Sequence, residues 1–198
     1  MSVKTTLGNR PLEIRWHGRG GQGAITAAKI VSQAAYMNGY RGVTAAPSFG
    51  AERRVAPVSA STRISTEPVL VVSQVEKPDI VVVLDDTLLK YPDVTQGLGK
   101  NGWLVVNSSH PPRQLGIKGD FHIATADATR VCQDLNLIVS GQVIVNTAIL
   151  GALVKATRVV DLSTVEKVIR DRFSNSATEV NLNAIRRTYE ITKIARQG

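Results

Sequence analysis

The stretch from Leu12 to Ala24, LEIRWHGRGGQGA, contains the signals that decide the fold of this chain. Its first part, Leu12 to Trp16, alternates apolar and polar side chains, which is the pattern of a half-buried β-strand. A glycine-rich loop follows. From Ala24 to Met37 the chain then carries Ala, Ile and Val at helical spacing, up to a helix stop at Asn38-Gly39. Strand, glycine-rich loop and helix in this order predict the first unit of an α/β fold.

The glycine-rich loop favours a phosphate site. The start of a helix carries unpaired N–H groups and the positive end of the helix dipole, and both attract an anion. Glycines let the backbone approach that anion without a Cβ in between, and Arg19 adds a cation that can bind phosphate in bidentate fashion. The alternative is a structural turn in which the glycines only allow the helix to pack closely on the strand.

The spacing of Gly18, Gly20 and Gly23 matches the dinucleotide-binding fingerprint G-x-G-x-x-G. That fingerprint also expects an acidic residue about twenty positions further on, which binds a ribose hydroxyl. The corresponding segment, residues 42–47, contains no acid. The sequence therefore favours a phosphate-bearing cofactor other than NAD.

Strands and helices continue to alternate along the rest of the chain. Further strands are predicted at Arg41–Ala45, Val58–Ile64, Ile80–Leu84, Trp103–Val106 and His122–Ala124, with an extended piece at Val69–Gln74. Helices are predicted at Thr87–Tyr91, Thr129–Leu135, Val145–Ala156, from Ser163 onward and at Glu179–Ala195. The helix at Ser163 carries a capping-box pattern in which Glu166 reaches back. This order predicts one α/β domain with a mostly parallel sheet and helices on both faces.

Composition limits the class of protein. With 198 residues and 43% hydrophobic residues, the chain fits one domain with a packed core. Its net charge is +8, but Lys and Arg are scattered in ones and twos and aromatic residues make up only 5%. Because that pattern does not suit nucleic acid, we interpret the charge as suited to an anionic ligand or acidic partner subunits. A generic basic surface is the alternative.

Residues that ligate metals or act as nucleophiles are few. The single cysteine, Cys132, can form neither an internal disulfide nor a four-thiolate iron–sulfur cluster, and we expect it to be a buried helix residue. The histidines lack metal-ligand spacing; they are His17, His110 and His122. We expect this chain to hold no metal and no catalytic residue.

Neither end nor middle of the chain predicts a membrane segment. Residues 1–11 are polar, so we expect no signal peptide. The longest apolar stretch, Val143 to Val154, is too short and too polar to cross a bilayer. The expectation is a cytoplasmic protein that contacts neither membrane nor nucleic acid.

Four blocks of sequence carry a resemblance to a known family. They are Glu13–Ala24 (EIRWHGRGGQGA), Ala46–Val58 (APSFGAERRVAPV), Pro78–Asp85 (PDIVVVLD) and Asn146–Ala152 (NTAILGA). In this order they resemble the gamma subunits of pyruvate (2-oxoacid):ferredoxin oxidoreductases, over roughly Leu12 to Arg196. Val55 departs from the pattern, since a small residue such as Gly is expected there.

The resemblance implies a Rossmann-like domain over 12–198, preceded by a short extension over 1–11. It also implies a multi-subunit enzyme that converts a 2-oxoacid, pyruvate first of all, into acyl-CoA and CO2 and passes electrons to ferredoxin. The partners would be alpha, beta and delta-type subunits, which would hold the thiamine diphosphate, Mg2+ and iron–sulfur clusters. This chain would contribute to binding coenzyme A and would be inactive alone.

Carried over residue by residue, the resemblance also implies a site. The residues that would cradle phosphate are Gly18, Arg19, Gly20, Gly21, Gln22 and Gly23. Ser48, Arg53 and Arg54 would help at the same crevice or at a subunit boundary, although Arg53 alternatively forms a loop salt bridge with Glu52. Asn146 offers its amide to a ligand or caps the following helix.

Two other functions remain open at this point. An aryl-2-oxoacid oxidoreductase acting on indolepyruvate or phenylglyoxylate would use the same scaffold, with specificity set by partner chains. A stand-alone nucleotide-binding module would need the glycine-rich loop but no partners. Co-purification with a thiamine-binding chain would distinguish the last possibility from the others.

Overall fold

The computed structural model describes residues 10–48, 57–69, 73–139 and 141–196. Its strands are β1 (Leu12–Arg19), β2 (Gly42–Pro47), β3 (Pro57–Ser65), β4 (Ile80–Val83), β5 (Trp103–Asn107), β6 (His122–Ala126), β7 (Ile138–Val139), β8 (Gln142–Val143) and β9 (Lys193–Arg196). Its α-helices are α1 (Ala24–Met37), α2 (Ala128–Asp134), α3 (Ile149–Thr157), α4 (Leu162–Arg172) and α5 (Asn175–Ile191).

A seven-stranded sheet in the order β2-β3-β1-β4-β5-β6-β9 forms the centre of the fold. Strands β1, β4, β5 and β6 are mutually parallel. The strands β3 and β9 run antiparallel to this group, and β2 is antiparallel to β3 and so returns to the common direction. The predicted mostly parallel α/β sheet is confirmed. Strands β2 and β3 extend the sheet on one side of β1, and β4, β5, β6 and β9 extend it on the other side. A crevice therefore opens at the carboxyl ends of β1 and β4, where the order of the strands reverses.

The two faces of the sheet are covered differently. All five α-helices contribute to one apolar core, which includes Trp16 of β1, Ile30 of α1 and Leu150 of α3. The opposite face packs against short 3₁₀ helices at Asp86–Lys90 and Pro92–Val94. Strand β4 is buried on both faces, as its continuous β-branched sequence predicts. The predicted helices on both faces are therefore α-helices on one side and 3₁₀ helices on the other.

Polar groups inside the main core are paired rather than left isolated. The indole N–H of Trp16 donates to Thr62 Oγ1 over 3.0 Å, and the Thr62 hydroxyl donates to the carbonyl of Ala28 over 3.3 Å. Because both partners are buried, each unmade bond would cost about 1–3 kcal/mol. These two bonds tie α1 to the centre of β1 and β3, and so set the helix directly above the glycine-rich loop.

The C-terminal end of the chain corrects one prediction. Helix α5 ends at Ile191, and residues up to Arg196 form β9, where a continuous helix to Ala195 was predicted. Ile194 and Ala195 pair with Ala124 and Ile123 of β6. The apolar spacing at the end of the segment is equally compatible with a strand, and the open edge of β6 offers backbone partners that periodicity does not show.

Two helix starts are also corrected. Helix α4 begins at Leu162 after Asp161, and Glu166 binds Arg186 of α5 at 2.7 Å instead of closing a capping box. The neighbouring Asn38 at the end of α1 accepts the N–H of Asp161, which fixes the start of α4 from outside the helix. Helix α3 begins at Ile149 rather than at Val145.

Candidate functional site

The glycine-rich loop between β1 and α1 is a tight turn closed by its own residues. The N–H of Gln22 donates to the carbonyl of Arg19 over 2.9 Å, and the N–H of Arg19 donates to Gln22 Oε1 over 2.7 Å. Gly21 and Gly23 adopt φ angles of 95° and 82°, which L residues with side chains rarely adopt. Gln22 thus stabilises the loop itself, and its neighbours at 21 and 23 need to be glycine.

The loop is also in close contact with the segment before α3. A Cβ on Gly23 would lie 2.3 Å from Asn146 Nδ2, and a Cβ on Gly21 would lie 2.8 Å from Gln142 Oε1. The glycines therefore allow close packing as well as a tight turn. The two interpretations drawn from the sequence, close packing and phosphate binding, are compatible with each other in this geometry.

The first turn of α1 presents hydrogen-bond donors without partners inside the helix. Gly23 is the N-cap and provides no side chain, and the first intrahelical bond runs from the N–H of Ala27 to Gly23 O. The backbone N–H groups of Ala24 and the next two residues therefore have no intrahelical acceptor. The first turn also contains no acidic residue. This end of α1 is an anion-attracting terminus.

Asn146 adds a side-chain donor at the same place. The residue is only 9% exposed, and its Oδ1 accepts the N–H of Thr147 over 2.7 Å. Its Nδ2 packs on Gly23 and has no acceptor among the described residues. The helix N-cap of α3 is Ala148, so the predicted capping role of Asn146 is wrong. Among the described residues the fully buried polar side-chain atom without a partner is Thr188 Oγ1, so Asn146 Nδ2 keeps solvent access and can donate to a ligand beside the helix start.

Arg19 stands at the mouth of the loop in an ion pair. Its Nε binds Asp85 Oδ2 at 2.7 Å and its Nη2 donates to Thr87 Oγ1 over 2.8 Å. Asp85 also accepts the N–H of Thr87 over 3.0 Å. Burial raises the pKa of Asp85, but the hydrogen bonds from Thr87 and Arg19 outweigh it and hold that pKa below its ordinary value. The Asp85 carboxyl is therefore ionised at neutral pH.

A polar cleft lies along the carboxyl ends of β1, β4, β5 and β6. One recess of about 260 Å³, the glycine recess, is lined by Arg19, Gly20, Gln22 and the segment around Gln142 and Val145. A second recess of about 490 Å³, the acidic recess, is lined by Asp85, Asp86, Ser108, Asp127 and neighbours. Both recesses share Gln22, Leu84, Asn107 and Thr129. Their position is where open α/β sheets bind ligands.

Side chains that the sequence interpretation missed form the floor of this cleft. Asn107 donates to Leu84 O over 2.9 Å and to Thr129 Oγ1 over 2.8 Å, and its Oδ1 accepts the N–H of Thr129. Ser108 donates to Asp86 Oδ2 over 2.6 Å. Asn107 ends the buried strand β5, Ser108 follows it, and Thr129 lies in the first turn of α2. The carboxyl-end rule for parallel strands is the signal that would have found them.

The remaining predicted site residues lie apart from the cleft or outside the described residues. Ser48 follows β2, two strands away from β1, where its N–H donates to Ser59 O over 2.9 Å. It lines neither recess. Arg53 and Arg54 lie outside the described residues.

Burial favours the neutral forms of His17 and Cys132. Burial, together with the charge of Arg15, lowers the pKa of His17 to about 4, and Arg15 Nε donates to His17 Nε2 over 3.1 Å. Burial raises the pKa of the Cys132 thiol to about 12. In the part of the chain that the structure describes, no three His, Cys, Asp or Glu side chains cluster as a metal site.

The comparison with known proteins identifies the family. The model of the pyruvate ferredoxin/flavodoxin oxidoreductase family matches residues 13–191. This chain belongs to that family. The gamma subunit common to pyruvate and ketoisovalerate oxidoreductases of Pyrococcus furiosus is 44% identical over 186 residues, which are 92% of this chain and 98% of the relative. The predicted membership among the gamma subunits of these oxidoreductases is confirmed.

Solved structures of the oxidoreductases agree with this fold. The crystal structure of the pyruvate oxidoreductase subunit PORC from Thermotoga maritima superposes with a TM-score of 0.82 at 38% identity, covering 95% of this chain and 100% of that one. The 2-oxoglutarate:ferredoxin oxidoreductase from Magnetococcus marinus, solved with coenzyme A bound, has a TM-score of 0.71 at 17% identity. It is similar in fold, over 93% of this chain and 31% of that longer chain.

Family membership makes this chain part of an oxidoreductase assembled from several subunits. Among the described residues no helix has the length and apolar character needed to cross a membrane. The glycine-rich loop, the start of α1 and the cleft beside them lie within the part matched by the family model.

Proposed function

We propose that this gamma subunit binds coenzyme A through the start of α1 in a thiamine-diphosphate-dependent 2-oxoacid:ferredoxin oxidoreductase, with pyruvate as its main substrate. The partners are alpha, beta and delta-type subunits, which hold the thiamine diphosphate, Mg2+ and iron–sulfur clusters. Thiamine diphosphate, when bound in a partner, supplies the electron sink for decarboxylation. The residues of this chain bind and orient the acyl acceptor and take no part in proton transfer.

The observation that supports coenzyme A binding is the set of donors at the start of α1. Arg19, Gly20 and Gln22 line the glycine recess. The backbone N–H groups of the first turn of α1 and the Nδ2 of Asn146 lie next to the same loop. Coenzyme A carries a pyrophosphate, which fits such a set of donors because a helix terminus and a cation both stabilise its charge. The glycine backbone lets the phosphate approach closely.

The size and polarity of the cleft also suit this ligand. The recesses of about 260 and 490 Å³ lie side by side, in the size range of small-molecule sites. The acidic recess is lined by the carboxylates of Asp85, Asp86 and Asp127 and one cation, Arg130. Its net negative charge would disfavour a phosphate, while its carboxylates would accept hydrogen bonds from amide or hydroxyl groups. We therefore expect the pyrophosphate of coenzyme A to lie in the glycine recess and an uncharged part of the ligand to lie in the acidic recess.

Replacing Asn146 by Asp in the intact complex tests the proposal. The substitution exchanges a donor for a negative charge beside the anion, so we expect coenzyme A affinity to fall about tenfold to a hundredfold, which is about 1.4–2.8 kcal/mol. Asn101→Asp is the matched control, because it adds the same charge at an exposed turn before β5, at the amino ends of the parallel strands and so away from the cleft. Unchanged calorimetric binding in an assembled Asn146→Asp complex would contradict the proposal.

The choice of 2-oxoacid is a separate question. The Pyrococcus relative is shared between pyruvate and ketoisovalerate enzymes, which supports a gamma subunit that serves the ligand common to several 2-oxoacids while partner chains select the acid. We expect the purified native complex to turn over pyruvate faster than ketoisovalerate, indolepyruvate or phenylglyoxylate. A preference for an aryl acid in coupled ferredoxin-reduction assays would favour the aryl-2-oxoacid alternative.

A further inference from the structure

Arg19 and Asp85 connect the two strands at the centre of the cleft. Arg19 ends β1, and Asp85 follows the neighbouring parallel strand β4. The N–H of Leu84 donates to His17 O over 2.8 Å, which fixes the two strand ends relative to each other. The side chains then meet at 2.7 Å, and they are only 24% and 18% exposed. The ion pair therefore spans the crevice where β1 and β4 diverge.

The second carboxylate oxygen of Asp85 is also held by hydrogen bonds. Its Oδ1 accepts both the N–H and the hydroxyl of Thr87, and in this way Asp85 caps the 3₁₀ helix Asp86–Lys90. Thr87 Oγ1 also accepts from Arg19 Nη2. The Asp85 carboxylate and the Thr87 hydroxyl thus both bind the Arg19 guanidinium, and they are hydrogen-bonded to each other. An arginine side chain held in this way keeps one orientation.

The position of the Asp85 carboxylate decides whether the ion pair orients Arg19 toward an anion or competes with that anion. Arg19 lines the glycine recess, whereas Asp85 lines only the acidic recess. An anion at the start of α1 therefore meets the guanidinium without meeting the carboxylate directly. If the carboxylate faced the glycine recess, it would compete with that anion for Arg19.

We propose that Asp85 is a positioning residue, which together with Thr87 holds the Arg19 guanidinium against the glycine recess for contact with the phosphate of the ligand. The inference rests on the proposed function, because it needs an anion at the start of α1. Preorganisation is the physical basis: a long, flexible cation that is already oriented loses less freedom when the phosphate binds.

A double-mutant cycle in the intact complex tests this role. The variants are Arg19→Ala, Asp85→Asn and the two combined, and the readout is calorimetric affinity for coenzyme A. Asn keeps an oxygen for Thr87 and removes the charge that orients Arg19. We expect Arg19→Ala to weaken binding about tenfold or more and Asp85→Asn to weaken it about threefold to tenfold. In the Arg19→Ala background, Asp85→Asn should then have no further effect, because its target is absent.

Conservative variants separate positioning from a structural role. Thr87→Ser keeps the hydroxyl that holds Arg19, and Thr87→Val removes it, so Ser should preserve affinity and Val should lower it. Thermal unfolding and subunit content of each complex show whether a variant has folded and assembled. A rise in the KM for coenzyme A that exceeds any fall in kcat indicates a role in binding, whereas a structural role would change both together.

The other possible outcomes contradict either the role of Asp85 or the proposed coenzyme A site. Tighter binding in Asp85→Asn would make the carboxylate a competitor and overturn the inference, and so would an equal loss in both backgrounds, which indicates a structural effect. If Arg19→Ala binds normally while Asn146→Asp does not, the inference fails and the proposed coenzyme A site stands. If neither variant changes binding, the proposed site itself fails.

Discussion

The two recesses of the cleft share four residues but differ in their charged side chains: Arg19 lines the glycine recess, whereas Asp85, Asp86, Asp127 and Arg130 line the acidic recess. The glycine recess is lined by Arg19, Gly20 and three residues with side-chain amides, Gln22, Asn107 and Gln142, next to the start of α1. The acidic recess offers side-chain oxygens at the ends of β4, β5 and β6, including Asp86 and Ser108. For the proposed ligand, a phosphate in the glycine recess and neutral groups in the acidic recess is therefore the orientation that charge favours.

The largest effect is expected at Gly23, where the glycine recess meets its packing partner. Gly23→Ala places a Cβ at 2.3 Å from Asn146 Nδ2 and at a φ of 82°, so we expect a loss of about 2–4 kcal/mol in the free energy of unfolding. Coenzyme A affinity should fall with it, because Asn146 must move. Denaturant unfolding and calorimetry measure the two losses.

Gly39→Ala is the matched control for that experiment. Gly39 has a φ of 94°, and a Cβ there would meet nothing within 4 Å. Its substitution should cost only the backbone strain of about 1–2 kcal/mol and leave ligand affinity unchanged. If the two alanine variants lose the same stability and bind equally well, the contact between Gly23 and Asn146 has no energetic role.

The glycine recess was predictable from sequence because its signals are local. Strand, glycines and helix follow one another directly, and a turn that needs positive φ shows itself as glycine at positions 21 and 23. The family resemblance added Asn146, which comes from the far side of the chain. Its contact with a ligand stays a prediction, and the alternative role as a helix cap is wrong, because α3 begins at Ile149 with Ala148 as its N-cap.

The acidic recess was not predictable in the same way, because it forms only when four strands end side by side. Asn107 and Thr129 are distant in sequence and become partners through the parallel pairing of β5 with β6. The same lack of long-range information explains the error at β9, where the edge of β6 decides the conformation. Local periodicity indicates that an element exists, and tertiary pairing decides between helix and strand when the element is short.

An intermediate effect is expected at Asn107, which holds the floor shared by both recesses. Asn107→Ala leaves Leu84 O and the Thr129 N–H without their buried partner, so we expect a loss of about 1–3 kcal/mol in the free energy of unfolding. Ser109→Ala, an exposed change in the acidic recess, should stay within about 0.5 kcal/mol of the parent. Equal stability of both variants would show that the Asn107 network contributes little.

The smallest effect concerns the orientation of the ligand between the two recesses. If the pyrophosphate lies in the glycine recess, the Asp86 carboxylate still repels it weakly across the cleft. At about 10 Å in water that repulsion is roughly 0.4 kcal/mol, so Asp86→Asn should tighten coenzyme A binding only about twofold. Raising the ionic strength should remove the gain, because exposed charges at this separation are screened within about one Debye length.

Binding of dephospho-coenzyme A, which lacks the 3′-phosphate, shows which phosphate of coenzyme A lies near Asp86. With the pyrophosphate at the start of α1 and the 3′-phosphate away from Asp86, the twofold gain in Asp86→Asn should be the same for both ligands. If the 3′-phosphate lay in the acidic recess, Asp86→Asn would instead tighten coenzyme A by much more than its dephospho form. Because Ser108 donates to Asp86 and equally well to an Asn oxygen, the substitution changes charge with little change in packing. A selective gain for coenzyme A would therefore reverse the direction in which the ligand lies across the cleft.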